Sequence, residues 1–118
     1  MGGAIALRAA ARHPERVVGA ASFHGGHLAS DSPMSPHRLA DRIKAELYIG
    51  HAKDDPSCPT EQVERLEAAL DAAGVCHQTE IYEAAHGWTM PDLPWAYDEA
   101  AAEKAWGRLY DLLDRTLK

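Results

Sequence analysis

The 118-residue sequence is short of positive charge, of cysteine and of long apolar runs. Twelve Lys and Arg stand against eighteen Asp and Glu, giving a formal net charge of −6 and a pI near 5.6. A nucleic-acid partner needs a basic face to neutralise phosphates, so this balance argues against one. A membrane-spanning helix needs about twenty consecutive apolar residues, and no such run exists. The N-terminus lacks the charged-then-apolar order of a secretory leader. The two cysteines, Cys58 and Cys76, are too few for a disulfide framework, and their spacing fits no zinc motif. Free thiols and a cytoplasmic setting are the expectation.

What is present is an ordinary globular balance, 46% hydrophobic and 25% charged, at a length that suits one domain. The opening is less ordinary. Met1-Gly2-Gly3 runs directly into an alanine-rich, helix-like segment over residues 3–12. A glycine pair leading into a helix ordinarily follows a strand, because such a turn needs close backbone approach and permissive dihedrals. No strand precedes it, and the sequence reads as though it starts in the middle of a domain. His13-Pro14 closes the helix.

Residues 17–23 form a short apolar run bounded by turn signals, the pattern of a strand buried on both faces. Residues 24–42 are irregular, with Gly25, Gly26, Pro33 and Pro36, and are expected to be partly helical over 36–41. A second strand is expected at 45–50. An amphipathic helix over 59–73 carries Val63, Leu66, Leu70 and Ala73 at helical spacing, with Gly74 as its stop. Residues 77–83 alternate like a half-exposed edge strand. Asp98 is placed to cap a last helix with the stripe Ala102, Ala105, Trp106, Leu109, Leu112 and Leu113. Strands and helices in alternation imply an α/β fold, about three parallel strands with helices on both faces.

Ligands of open parallel sheets bind beyond the carboxyl ends of the strands. Two strand tips end in titratable groups: Asp54-Asp55-Pro56 after the second strand, and Ala84-Ala85-His86-Gly87-Trp88-Thr89 after the third. A carboxylate that accepts from one imidazole nitrogen fixes the tautomer and frees the other nitrogen to take a proton. Asp55 as acid and His86 as base fit that scheme. Asp54 is the rival acid. Asp55 could instead be a turn residue and His86 a surface histidine. Cys58 reads better as packing than as a nucleophile, and Cys76 as inert packing at a strand entrance. His24, His27, His37 and His51 could surround one crevice, but no spacing matches a metal motif, so neither a metal nor another cofactor is expected. Trp88, Trp95 and Trp106 read as core or lid packing.

The order of acid and then histidine, behind a nucleophile turn that ends in small residues, is that of the α/β-hydrolases. Here the chain resembles the dienelactone hydrolase family. The matching pieces are Met1-Gly2-Gly3, Ser22-Phe23-His24-Gly25-Gly26, residues 48–59 (Tyr-Ile-Gly-His-Ala-Lys-Asp-Asp-Pro-Ser-Cys-Pro), residues 84–89, and Tyr97 onward into the last helix. The resemblance implies that residues 1–118 are the C-terminal portion of a single α/β-hydrolase domain. It implies Asp55 as acid, His86 as base and the Met1 backbone N–H as an oxyanion donor. It further implies a Cys or Ser nucleophile just before Met1, hence little or no activity for these residues alone. The implied substrate is a small ester or lactone. In the family, an arginine soon after the histidine holds a substrate carboxylate; residues 87–91 contain none, which favours a neutral substrate. The competing expectation is a non-catalytic α/β module that forms a homo-oligomer through its exposed sheet edge or face.

Overall fold

A computed structural model describes residues 1–117. In chain order it contains α1 (Gly2–Arg12), β1 (Gly19–Phe23), a 3-10 helix (Pro36–Arg42), β2 (Glu46–Ala52), α2 (Thr60–Ala72), β3 (His77–Tyr82) and α3 (Glu99–Thr116). The strands form one parallel sheet in the order β1-β2-β3. Phe23 lies opposite Gly50, and His51 opposite Ile81. All three strand tips therefore point to one edge of the molecule.

Alternation along β2 assigns its residues to two layers. Leu47 and Ile49 face α1, α2 and the 3-10 helix, where Leu7, Leu28, Leu66 and Leu70 complete an aliphatic core. Tyr48 and Ala52 face α3, meeting Tyr82, Trp88, Ala105 and Leu112. The alanine content of α1 allows the helix to sit close to β1. A Cβ on Gly3 would lie 2.2 Å from Ser22 Oγ and 3.3 Å from Gly25 Cα, so a larger residue would have to displace the Ser22 hydroxyl and crowd the backbone. On the α3 side, Glu80 accepts from Tyr48 and from Arg108 at 2.8 Å each, and pairs with Lys104 at 3.0 Å. Burial opposes its ionisation, but these donors hold its carboxyl down at about 2.

Two expectations need correction. The apolar run of β1 is only half-buried: it has β2 on one side and no strand on the other, and Val18 before it is 48% exposed. The strand buried on both faces is β2. The stripe of α3 also splits. Ala102, Ala105 and Leu112 are buried, while Trp106 and Leu113 are exposed with Tyr110 on the helix's outer flank. A sheet of three strands is too narrow to cover both flanks of an 18-residue helix. Asp98 does cap α3, its carboxylate accepting from the Ala101 N–H at 3.0 Å.

The irregular connection between β1 and β2 is pinned rather than loose. Leu28 and Ala29 are fully buried. The His27 N–H donates to Ser57 O at 2.6 Å, Ala29 N–H to Gln62 Oε1 at 3.2 Å, and Arg65 donates to Ala29 O at 2.7 Å. The buried Ser35 hydroxyl accepts from Ser30 N–H at 2.9 Å and donates to Leu28 O at 3.3 Å.

Candidate active site

Asp55 follows β2 in a turn that satisfies its carboxylate one oxygen at a time. The Ser57 N–H and hydroxyl donate to Oδ1 at 2.9 and 2.7 Å, an Asx-type arrangement. His86 Nδ1–H donates to Oδ2 at 2.6 Å. The Asp55 side chain is 3% exposed, whereas that of His86 is 51% exposed. Burial opposes ionisation of Asp55, but the Ser57 and His86 hydrogen bonds outweigh it and hold the carboxyl below its ordinary value. Asp55 is thus a buried carboxylate at neutral pH. Asp54, the rival, is exposed and has φ 57°, which turns its side chain out of the pair.

His86 reaches Asp55 because of the residue after it. Gly87 has φ 94°, and a Cβ there would meet Leu93 at 3.1 Å. This reversal leaves His86 at the surface and sends Trp88 inward, where it is fully buried and stacked on Tyr82 at 4.5 Å between ring centroids. Among the described residues, no hydroxyl or thiol is hydrogen-bonded to His86 Nε2. That nitrogen is free to accept a proton from a group not in this set.

The other histidines separate. His24, at the tip of β1, lies beside His86, their ring centroids 5.2 Å apart. Its Nε2 shares a 2.9 Å hydrogen bond with the Thr89 hydroxyl. Burial, and then the charge of His86, lower its pKa. Met1 stands at the N-cap of α1, its carbonyl accepting from Ile5 N–H at 3.2 Å. His51 points to the opposite side of the sheet. It is 1% exposed, with Nδ1 3.8 Å from Cys58 Sγ and Nε2 without a partner among the described residues. Burial depresses its pKa to about 4. His37 bonds to Ser35 at 2.8 Å, and His27 is exposed. Among the described residues, no three His, Cys, Asp or Glu side chains gather as a metal would require.

Burial pushes the Cys58 thiol up, away from the thiolate a nucleophile needs. Cys76 is exposed rather than packed. Trp95 is 77% exposed and packs in no core. A cavity of about 410 Å³ opens on the α2 side, lined by His51, Lys53, Asp54, Cys58, Thr60 and Ile81. Neither Asp55 nor His86 lines it. Sequence reasoning missed Ser57 and the Thr89 partnership. Ser57 was detectable, since a serine two residues after an aspartate is a common Asx-turn partner. The His24–Thr89 bond spans 65 residues and had no local signal.

A profile of the dienelactone hydrolase family matches residues 1–117. Two curated proteins named "Putative carboxymethylenebutenolidase" are similar. The one from Synechocystis is 30% identical over 105 residues, 86% of this chain and 43% of its own length. The one from Salmonella typhi is 30% identical over 114 residues, 93% of this chain and 42% of its own length. Among solved structures, a "Putative Dienelactone Hydrolase" from Klebsiella pneumoniae superposes with a TM-score of 0.83 at 27% identity, covering 95% of this chain and 48% of that one. The chain thus spans under half the length of the relatives it matches. No helix among the described residues is long and apolar enough to cross a membrane.

Proposed function

We propose, on the premise that the chain belongs to the dienelactone hydrolase family, that it carries the acid and base of a carboxylic ester or lactone hydrolase. The observation that supports this most is the 2.6 Å bond from His86 Nδ1 to an Asp55 carboxylate already saturated on its other oxygen. It leaves Nε2 as the outward base. A serine or cysteine attacks the substrate carbonyl while His86 Nε2 takes its proton. The tetrahedral oxyanion is held by backbone N–H groups, the one at Met1 among them. As the tetrahedral adduct collapses, the alcohol leaves with the proton from His86, and water, activated by the same ring, releases the acid. The reaction as described needs no cofactor. The surroundings of His86 favour an uncharged substrate, since residues 87–91 are Gly-Trp-Thr-Met-Pro and the nearby His24 is held neutral by burial. We place this chemistry in the cytoplasm, in keeping with two free cysteines.

The nucleophile belongs immediately before Met1 and is absent from residues 1–118. These residues alone should therefore give no burst and no saturable turnover of p-nitrophenyl acetate, and His86→Ala should leave the background rate unchanged. Saturable, His86-dependent hydrolysis would overturn the nucleophile assignment. A reading frame continuing upstream with a Cys or Ser codon just before Met1 would support it.

A second reading rests on the unpaired edge of β1 and the exposed Trp106, Tyr110 and Leu113 beside it. Here the chain is a non-catalytic module whose edge and apolar flank are covered by a second copy. Sedimentation equilibrium separates the two: a dimer that persists on dilution and is broken by Trp106→Glu favours the module, and a monomer counts against it.

A further inference from the structure

Holding a catalytic imidazole takes more than one hydrogen bond. The Asp55 contact fixes one atom of the His86 ring and leaves the ring free to swing about that contact. With half its side chain exposed, His86 has little packing of its own to stop the swing. The other ring beside it is His24. Its centroid lies 5.2 Å from that of His86, with the planes at 63°. His24 also meets the buried Trp88 at 4.9 Å, with the planes at 78°. Its Nε2 is tied to Thr89 at 2.9 Å. The backbone of His24 has φ 43°, a left-handed conformation costly for a residue with a Cβ. Its N–H still donates to Gly50 O at 2.8 Å, so the surrounding structure holds the residue in that conformation.

We propose that His24 is a positioning residue: braced by Thr89 and Trp88, its ring backs the His86 ring and removes the rotation that Asp55 alone leaves open. The inference rests on the functional reading above only in naming His86 as the base; the contact itself does not depend on it. The charged groups bearing on His24 are His86 and Asp55. Burial, and then the charge of His86, lower its pKa against the opposing pull of the Asp55 carboxylate, so the brace stays uncharged and does not repel the imidazolium that forms on His86 during proton transfer.

The strain at His24 makes the test discriminating. His24→Gly relieves the left-handed backbone and removes the ring. His24→Asn accepts the same backbone and keeps a small planar group toward the His86 ring, but is too short to reach Thr89. Both are made in the 118-residue chain without substrate, and the signal read is the His86 Nδ1–H by proton NMR with its exchange against water. With His24→Gly the urea midpoint should hold or rise while the Nδ1–H exchanges about tenfold faster. His24→Asn should recover part of the slow exchange. Thr89→Val, which keeps His24 but cuts its tether, should shift exchange in the same direction by less. Unchanged exchange in both His24→Gly and Thr89→Val would overturn the proposal. So would a loss of folding in His24→Gly, since that would make His24 a structural residue. Because no ester is present, these results stand apart from whether the chain belongs to a working hydrolase.

Discussion

Replacing Trp88 by alanine should cost about 3 to 5 kcal/mol of stability, the range for truncating a large aromatic in a core. The indole is fully buried, stacks on Tyr82 with planes 19° apart, and meets His24 edge-on. Gly50 lies beneath it at a distance where an added Cβ would be 3.4 Å from the ring, so no larger neighbour is positioned to fill the space left behind. Domains of this size have about 5 to 15 kcal/mol in total, and the variant should lie near the edge of unfolding at room temperature. Urea denaturation would show the midpoint falling with the slope preserved. Trp88→Phe is the informative companion. Trp88 Nε1 is buried without a partner among the described residues, and removing an unsatisfied donor returns part of the lost contact energy. The phenylalanine variant should therefore lose less than half as much. A loss equal to that of alanine would show that the indole nitrogen is satisfied in solution.

The second large effect depends on pH. His51 is buried with its pKa depressed to about 4 from an ordinary 6.5. The unfolded chain then binds the proton between those values and the folded chain does not. Stability is complete above 6.5 and falls as the pH drops through the window to 4. The loss integrates to about 3 kcal/mol at most. His24, lowered in the same direction, adds to it. Thermal or urea melts at pH 7, 5.5 and 4 should reveal the slope, and His51→Leu should flatten most of it. Glu80, with its carboxyl depressed from 4.5 to about 2, and Asp55, also held below its ordinary value, lose their contributions only as the pH falls below about 4.5, so the interval from pH 7 to 5.5 reads the histidines and the pH 4 point adds the carboxylates. If His51→Leu retains the full slope between pH 7 and 5.5, another group carries it.

Much of the site could be read along the chain because its two principal members are local features. Asp55 and His86 each sit where a strand gives way to turn residues, and the geometry of parallel sheets brings such positions to one edge. What could not be read were relations between distant segments. The brace of His24 against His86 depends on Gly87 reversing the chain and on Thr89 meeting a strand tip 65 residues earlier. The apolar run of β1 looked fully buried because hydrophobicity reports what a strand tolerates, not whether a neighbour stands beside it. The stripe of α3 misled in the same way: its spacing gave a correct helix, but only half of its apolar width found a surface to cover.

The pinned connection between β1 and β2 has a kinetic consequence. Its backbone is tied to Ser57 just before α2 and to Gln62 and Arg65 within it, so it cannot lift off while that helix stays docked. A protease searching the native chain should find residues 28–30 resistant despite their lack of regular structure. Amide protons there should exchange in step with those of α2, as one cooperative unit, rather than by the local fraying usual for a segment of this appearance.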